Sequence, residues 1–204
     1  MNDLNTEDTL ALETLPGIKK LVLLESATST QEVARELALQ GDMEGTLVLA
    51  LSQSAGKGRM GREWESGRGG VYMTLILQPL IGLKFLGELS VLAGSVAALT
   101  LKQLYGLNTR VKLPNDIYAL HPQKNKYLKI AGILTESASI NKTPNWILLG
   151  IGVNLNNAVS LATAVSASDI LKKEVSREEF LQAFFENFWH MYSSWEYASQ
   201  SKSS

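Results

Sequence analysis

The feature that most limits how this chain can fold lies between residues 109 and 155. "TRVKLPNDIYAL", "LKIAGILTESAS" and "NWILLGIGVNLNN" are apolar, strand-like segments separated by short polar links such as "HPQKNKY", too short for a helix. Pro114 cannot sit inside a hydrogen-bonded ladder, so the first segment reads as strand, turn, strand. The last two segments lie close enough to form a hairpin. Upstream, "KKLVLLESA", "GTLVLALSQ" and "GGVYMTLILQP" read as strands, the third ended by Pro79. "STQEVARELALQG" reads as a helix, with Ser29 and Glu32 in capping-box spacing and Gly41 as its stop. Residues 85–105 form a long, mostly apolar helix, which implies burial. In a last helix, 176–197, Phe180, Phe184, Phe185, Phe188, Trp189, Tyr192 and Trp195 recur at helical spacing and read as a core stripe. Helices and strands do not alternate strictly. The expected fold is therefore α+β, a mixed β-sheet flanked by helices on one face, rather than a doubly wound parallel sheet.

At 204 residues the chain suits one domain, with 1–20 as a loosely structured lead-in, a body over 21–197 and a polar tail over 198–204. A hydrophobic content of 45% is enough for a sizeable core. The formal net charge of -1 provides no broad basic field, so no nucleic-acid partner is expected. With no cysteine there is no disulfide, thiolate metal site or cysteine nucleophile. The N-terminus lacks the basic start and apolar run of a signal peptide, and no apolar run reaches the about 18 residues of a membrane span. These features read as a soluble, cytoplasmic protein with no membrane partner.

Residues 55–64, "AGKGRMGREW", hold three glycines, three cations (Lys57, Arg59, Arg62) and a tryptophan. Glycines let backbone approach a ligand closely, successive amides can cradle an anion, and the cations add charge-assisted hydrogen bonds. Such a loop suits a nucleotide phosphate or an acyl phosphate. It lacks the spacing of a P-loop, and strand rather than helix follows it. By itself it reads equally well as a hairpin tip carrying solubilising charges. Three further segments bear on the choice. Lys112, Asn115 and Asp116 surround the Pro114 turn, Lys129 leads into "IAGIL", and Gly150 and Gly152 precede Asn154. Each has a plain structural reading as well: a turn, an edge guard, a bulge.

Taken together in this order, "QSAGKGRMGREW", "KLPND", "KIAGIL" and "GIGVN", with "STQ" at 29–31, resemble the catalytic domain of biotin–protein ligases over about residues 21–195. Leu113 stands where that family usually has tryptophan, and Lys57 and Met60 where arginines are common. The resemblance implies a class II aminoacyl-tRNA synthetase-like fold. It implies that biotin and ATP form biotinyl-5′-AMP, and that a lysine of a biotin carboxyl carrier protein then takes up the biotin. Many relatives add an N-terminal helix-turn-helix domain and a small C-terminal β-barrel-like domain. The expectation here is that the first is absent and the second absent or reduced, with at most a homodimer.

Site roles follow from the same resemblance. Ser29, Thr30, Gln31 and Gln53 are expected on the biotin ureido ring, and Gly56, Lys57 and Gly58 along its tail. Arg59 and Lys129 are expected between the carboxylate and the α-phosphate, with Lys112 assisting at the phosphates. Arg62, Trp64, Asn115 and Asn154 are expected on ATP. Asp116 is expected to orient the acceptor lysine or to hold Mg²⁺, which ATP brings. Lys129, Arg59, Lys112 and Asp116 form the catalytic set. His121 and His190 lack metal-ligand spacing and take no chemical role. The alternatives are a lipoate–protein ligase or octanoyl transferase, a non-catalytic biotin-binding module, and a nucleic-acid binder, for which one short cationic loop is too little.

Overall fold

The computed structural model describes residues 14–79, 83–140 and 143–201. Most of the expected lead-in (1–13) and the last three residues of the tail lie outside them. A seven-stranded sheet runs in the order β1-β2-β3-β7-β6-β5-β4. The strands are β1 (Lys20–Leu24), β2 (Thr46–Ala50), β3 (Val71–Leu77), β4 (Thr109–Lys112), β5 (Asp116–His121), β6 (Lys126–Ile140) and β7 (Thr143–Val153). β1 and β2 are parallel, and every other pair is antiparallel. Among the described residues the α-helices are α1 (Thr30–Leu39), α2 (Leu86–Tyr105), α3 (Ala167–Leu171) and α4 (Arg177–Ser201), and short 3-10 turns lie at Arg59–Gly61 and Leu83–Phe85. Among the described residues no helix is long and apolar enough to cross a membrane.

Alternation along the strands sends side chains to two faces. Leu47, Leu49, Met73, Leu75, Ile147, Leu149, Ile117 and Ile133 enter the main core, beneath α2 and α4. Phe180, Phe184 and Phe188 stack along α4, with ring centroids 5.9 and 5.8 Å apart, and all are fully buried. Phe184→Ala should therefore cost about 3–5 kcal/mol of stability, readable as a lowered urea midpoint. At the described end of the expected lead-in, Leu15 is buried in this core.

The other sheet face carries Val48, Ile76, Leu148 and Trp146, packed against Ala34 and Ala38 of α1. Helices thus cover both faces, which corrects the expectation of one. A short helix with few apolar residues covers only part of a sheet, and beyond the N-terminus of α1 this second face stays open.

β6 contains the irregularity that matters most for the site. Ile117 pairs with Ala131 but Tyr118 pairs with Lys129, so Ile130 is an extra residue, a β-bulge. Ile130 and Ala131 both turn into the main core. The bulge shifts the alternation by one, and Lys129 joins Gly132 and Leu134 on the open face.

Candidate functional site

The open face is lined by small groups in register. Gly132 pairs with Gly152, and Gly150 lies between Leu134 and Thr74. Three residues without side chains leave a shallow trough over the sheet, and it is the floor of a cleft of about 290 Å³. A Cβ on Gly152 would come within 2.6 Å of Trp64 Nε1, and one on Gly132 within 3.1 Å of Trp64 Cζ3. The indole of Trp64 therefore lies directly on these glycines. Its buried Nε1–H has no acceptor among the described residues.

One end of the cleft is the N-terminus of α1. Ser29 caps the helix, its Oγ accepting from Gln31 N at 3.3 Å. Gln53 Oε1 accepts from Thr30 N at 2.7 Å and from Thr30 Oγ1 at 3.1 Å, while its Nε2 donates to Ser66 Oγ at 2.8 Å. Gln31 is buried too: its Oε1 accepts from Thr74 Oγ1 at 3.1 Å, and its Nε2 donates to Leu148 O at 3.4 Å. These side chains hold one another in fixed rotamers, a preorganised polar wall suited to a small, doubly polar ring.

The glycine-rich loop forms the roof. It closes on itself: Trp64 N donates to Gly56 O at 2.8 Å and Gly58 N to Arg62 O at 2.7 Å. Gly56 allows this approach, since a Cβ there would sit 2.4 Å from Trp64 O. Gly56 itself does not line the cleft, whereas Lys57, Gly58, Arg59 and Arg62 do. Lys57 pairs with Glu32 at 2.8 Å. Arg59 Nη1 donates to Asn115 Oδ1 at 2.8 Å. Asn115 in turn donates from Nδ2 to Ile133 O at 3.0 Å. Asn115 is thus more than a turn residue, because it anchors the β4–β5 turn to β6 and holds a roof arginine.

Lys129 stands at the centre. Its Nζ is 2.7 Å from Asp116 Oδ1 and 5.0 Å from the centre of the Trp64 ring. Its backbone leaves the β6–β7 ladder and pairs instead with residues 163–165: Lys129 N donates to Thr163 O at 3.0 Å, and Val165 N to Lys129 O at 2.9 Å. This pairing brings in a wall that the sequence reading missed, from Val159 to Ala164. The segment "VSLATA" has neither charge nor periodicity to mark it. α3 steadies it: buried His121 places Nε2 3.4 Å from the Asp169 carboxylate. Asp169 is held below the usual carboxylate range, first by a hydrogen bond from Lys172, with the charges of Lys172, His121 and Lys124 adding to it. Asn154 is buried in the cleft and accepts from Asn157 Nδ2 at 3.1 Å.

Two further differences from the sequence reading stand out. Lys112 is exposed and does not line the cleft; its Nζ lies 5.5 Å from the centre of the Tyr118 ring. Tyr118 and Thr74, both on the open face, do line it and were not foreseen. Their signal was strand alternation counted from Asp116 and Gly150, which requires knowing the register.

The cleft thus combines a buried polar wall, a glycine floor and a cationic roof, and the chain that forms it is similar to known proteins. The chain is 39% identical over 137 residues to the bifunctional ligase/repressor BirA of Bacillus subtilis, covering 67% of this chain and 40% of that protein. It is 37% identical over 142 residues to the biotin–[acetyl-CoA-carboxylase] ligase of Paracoccus denitrificans, covering 67% of this chain and 55% of that one. The chain thus spans about half or less of these relatives. Among solved structures, the Aquifex aeolicus biotin protein ligase in complex with biotin and ATP superposes with a TM-score of 0.73 at 26% identity, covering 89% of this chain and 74% of that one. The Leishmania major biotin protein ligase in complex with biotinyl-5-AMP gives 0.70 at 25% identity, covering 86% and 76%. The mixed, helix-flanked sheet is therefore the architecture of biotin protein ligase catalytic domains. Residues 23–154, from β1 to the buried Asn154, match the Biotin/lipoate A/B protein ligase family, and the chain belongs to it.

Proposed function

We propose that this chain is an ATP-dependent biotin–protein ligase of the cytoplasm. It would join biotin to AMP and pass the biotinyl group to a lysine of a biotin carboxyl carrier protein. The observation that carries this reading is the position of Lys129. The bulge at Ile130 puts its ammonium on the open face, above the glycine floor and beneath the arginine-bearing loop. The names of relatives such as the biotin–[acetyl-CoA-carboxylase] ligase of Paracoccus denitrificans and the biotin protein ligases of Aquifex aeolicus and Leishmania major favour biotin over lipoate or octanoate.

The chemistry needs positioning and charge neutralisation more than an enzyme nucleophile. The ureido ring of biotin would sit against Ser29, Thr30, Gln31 and Gln53, with its tail over the glycine floor, beside Trp64 and under Lys57 and Gly58. A carboxylate oxygen attacks the α-phosphorus, the bond to the β-phosphate oxygen breaks, and pyrophosphate leaves. Both reactants are anions, so Lys129 and Arg59 would stand between them, with Arg62 over the phosphates and Asn115 and Asn154 toward the nucleotide. In the second step the acceptor amine attacks the acyl carbon, AMP leaves with the bonding pair, and Asp116 would orient the incoming lysine. Drawn over the acyl phosphate, the loop would keep water from it.

Magnesium would arrive on the nucleotide. Asp116, the one carboxylate beside Lys129 in the cleft, is already neutralised by that ammonium. Among the described residues no three His, Asp or Glu side chains stand together. The residues do not fit a protein-held metal site, and no step is routed through one.

The test is ATP–pyrophosphate exchange with biotin, lipoate and octanoate in separate reactions, followed by transfer of labelled acid to a carrier domain. Biotin-dependent exchange and transfer are expected. Exchange with lipoate or octanoate alone would move the chain to the other branch of the family. Tight biotin binding with no exchange would make it a binding module.

A further inference from the structure

Tyr118 is a feature of the cleft for which neither the fold nor the roles above account. It lines the cleft, and its hydroxyl makes no hydrogen bond to any described residue. Its surroundings are cationic. In the strand register it faces Arg110 on β4 and Lys129 on β6. The Lys112 ammonium lies over its ring at 5.5 Å, and Lys112 has no ion pair among the described residues. Arg110 leans away, its guanidinium 3.8 Å over the Tyr127 ring, and contributes charge rather than contact. The nearest carboxylate, Asp116, is taken up by Lys129. With Lys129 and Asp116 cancelling each other, Lys112 and Arg110 leave the phenol donor in a net cationic setting, which suits an anionic acceptor.

We infer that Tyr118 is a nucleotide-binding and positioning residue of this site. Its hydroxyl donates to a phosphate oxygen of ATP, and its ring holds the Lys112 ammonium at the mouth of the cleft, facing the same phosphates. The inference rests on the reading of the cleft as an ATP site. It also gives exposed Lys112 a way to act: an unrestrained lysine would spend most of its time in solvent, whereas a cation held over a ring is partly prepaid in entropy.

The experiment compares Tyr118→Phe, Tyr118→Ala, Lys112→Ala and the Tyr118→Ala/Lys112→Ala double variant. Each is titrated calorimetrically with a non-hydrolysable ATP analogue, with and without biotin, and assayed for pyrophosphate exchange. Tyr118→Phe keeps the ring and loses only the hydroxyl. It should weaken nucleotide binding about tenfold, the size of one charged hydrogen bond, with kcat and the KM for biotin unchanged. Tyr118→Ala should weaken it further, by about threefold for the lost cation–π contact. The double variant should be no worse than Tyr118→Ala, because Lys112 without its ring is already ineffective. Wild-type nucleotide affinity in Tyr118→Phe would overturn the phosphate contact. Additive losses in the double variant would overturn the hold on Lys112. A general loss of folding would appear in Tyr118→Phe as a lowered melting temperature and a changed KM for biotin, and would likewise overturn it. Analogue binding that depends on Tyr118 without biotin-dependent exchange would leave this inference standing and sink the proposed substrate. No analogue binding to the wild type would sink both.

Discussion

Lys129→Ala is expected to lower biotin-dependent pyrophosphate exchange by about 10²–10³-fold, the loss typical when one preorganised charge donor is removed from an acyl-transfer site. Among the described residues its side chain is the only cation in ion-pair contact with Asp116, and its ammonium also lies over the Trp64 ring. The other cations that line the cleft, Lys57, Arg59 and Arg62, belong to the roof loop, whereas Lys129 rises from the sheet beneath it. The effect should fall on kcat more than on the KM for biotin, because the charge to be neutralised develops as the carboxylate meets the phosphate. The fold should survive. Lys129 holds the 163–165 segment through its backbone, and alanine keeps those bonds. Near-normal exchange in a well-folded Lys129→Ala protein would remove this residue from the chemistry and with it the central assignment.

Gly152→Val tests the floor rather than the charge. The new Cβ would meet Trp64 Nε1 at 2.6 Å and Cε2 at 2.7 Å. The indole must lift off the sheet, and it then fills space meant for ligand. Biotin must then compete with the lifted indole for that space, and its affinity should fall about 100-fold, or ~3 kcal/mol. The strand itself should not suffer. Valine favours extended backbone, Gly152 does not need a left-handed conformation, and the unfolded chain loses freedom. The expected pattern is an unchanged or raised melting temperature beside a collapsed affinity, measured by calorimetric titration. Unchanged biotin affinity would mean that the ligand does not lie on these glycines.

These two residues also show how far the sequence could be read. Lys129, Gly150 and Gly152 were identified from their motifs, and Gly132 lies in the same "KIAGIL" segment as Lys129. In a regular strand, however, Lys129 and Gly132 point to opposite faces, three residues apart on a period of two. Only the bulge at Ile130 brings them together, and a bulge is set by pairing with β5, not by the residues of β6 alone. Lys112 shows the reverse case. The resemblance implied a place at the phosphates, and its side chain lies exposed with its ammonium 5.5 Å from the centre of the Tyr118 ring.

What the sequence by itself determined is the local content. Alternating apolar residues made the strands, the aromatic period made the buried face of α4, and glycines between cations made the self-closing loop. These depend on each segment's own side-chain period and backbone freedom, so they are visible without partners. What the tertiary structure alone decided is every relation between segments. α1 covers the second face, residues 163–165 pair with Lys129, and Asn115 holds Arg59 across 56 positions of chain. Such contacts depend on register and on which strand lies beside which. A register is a property of a pair, and no single stretch of sequence carries it.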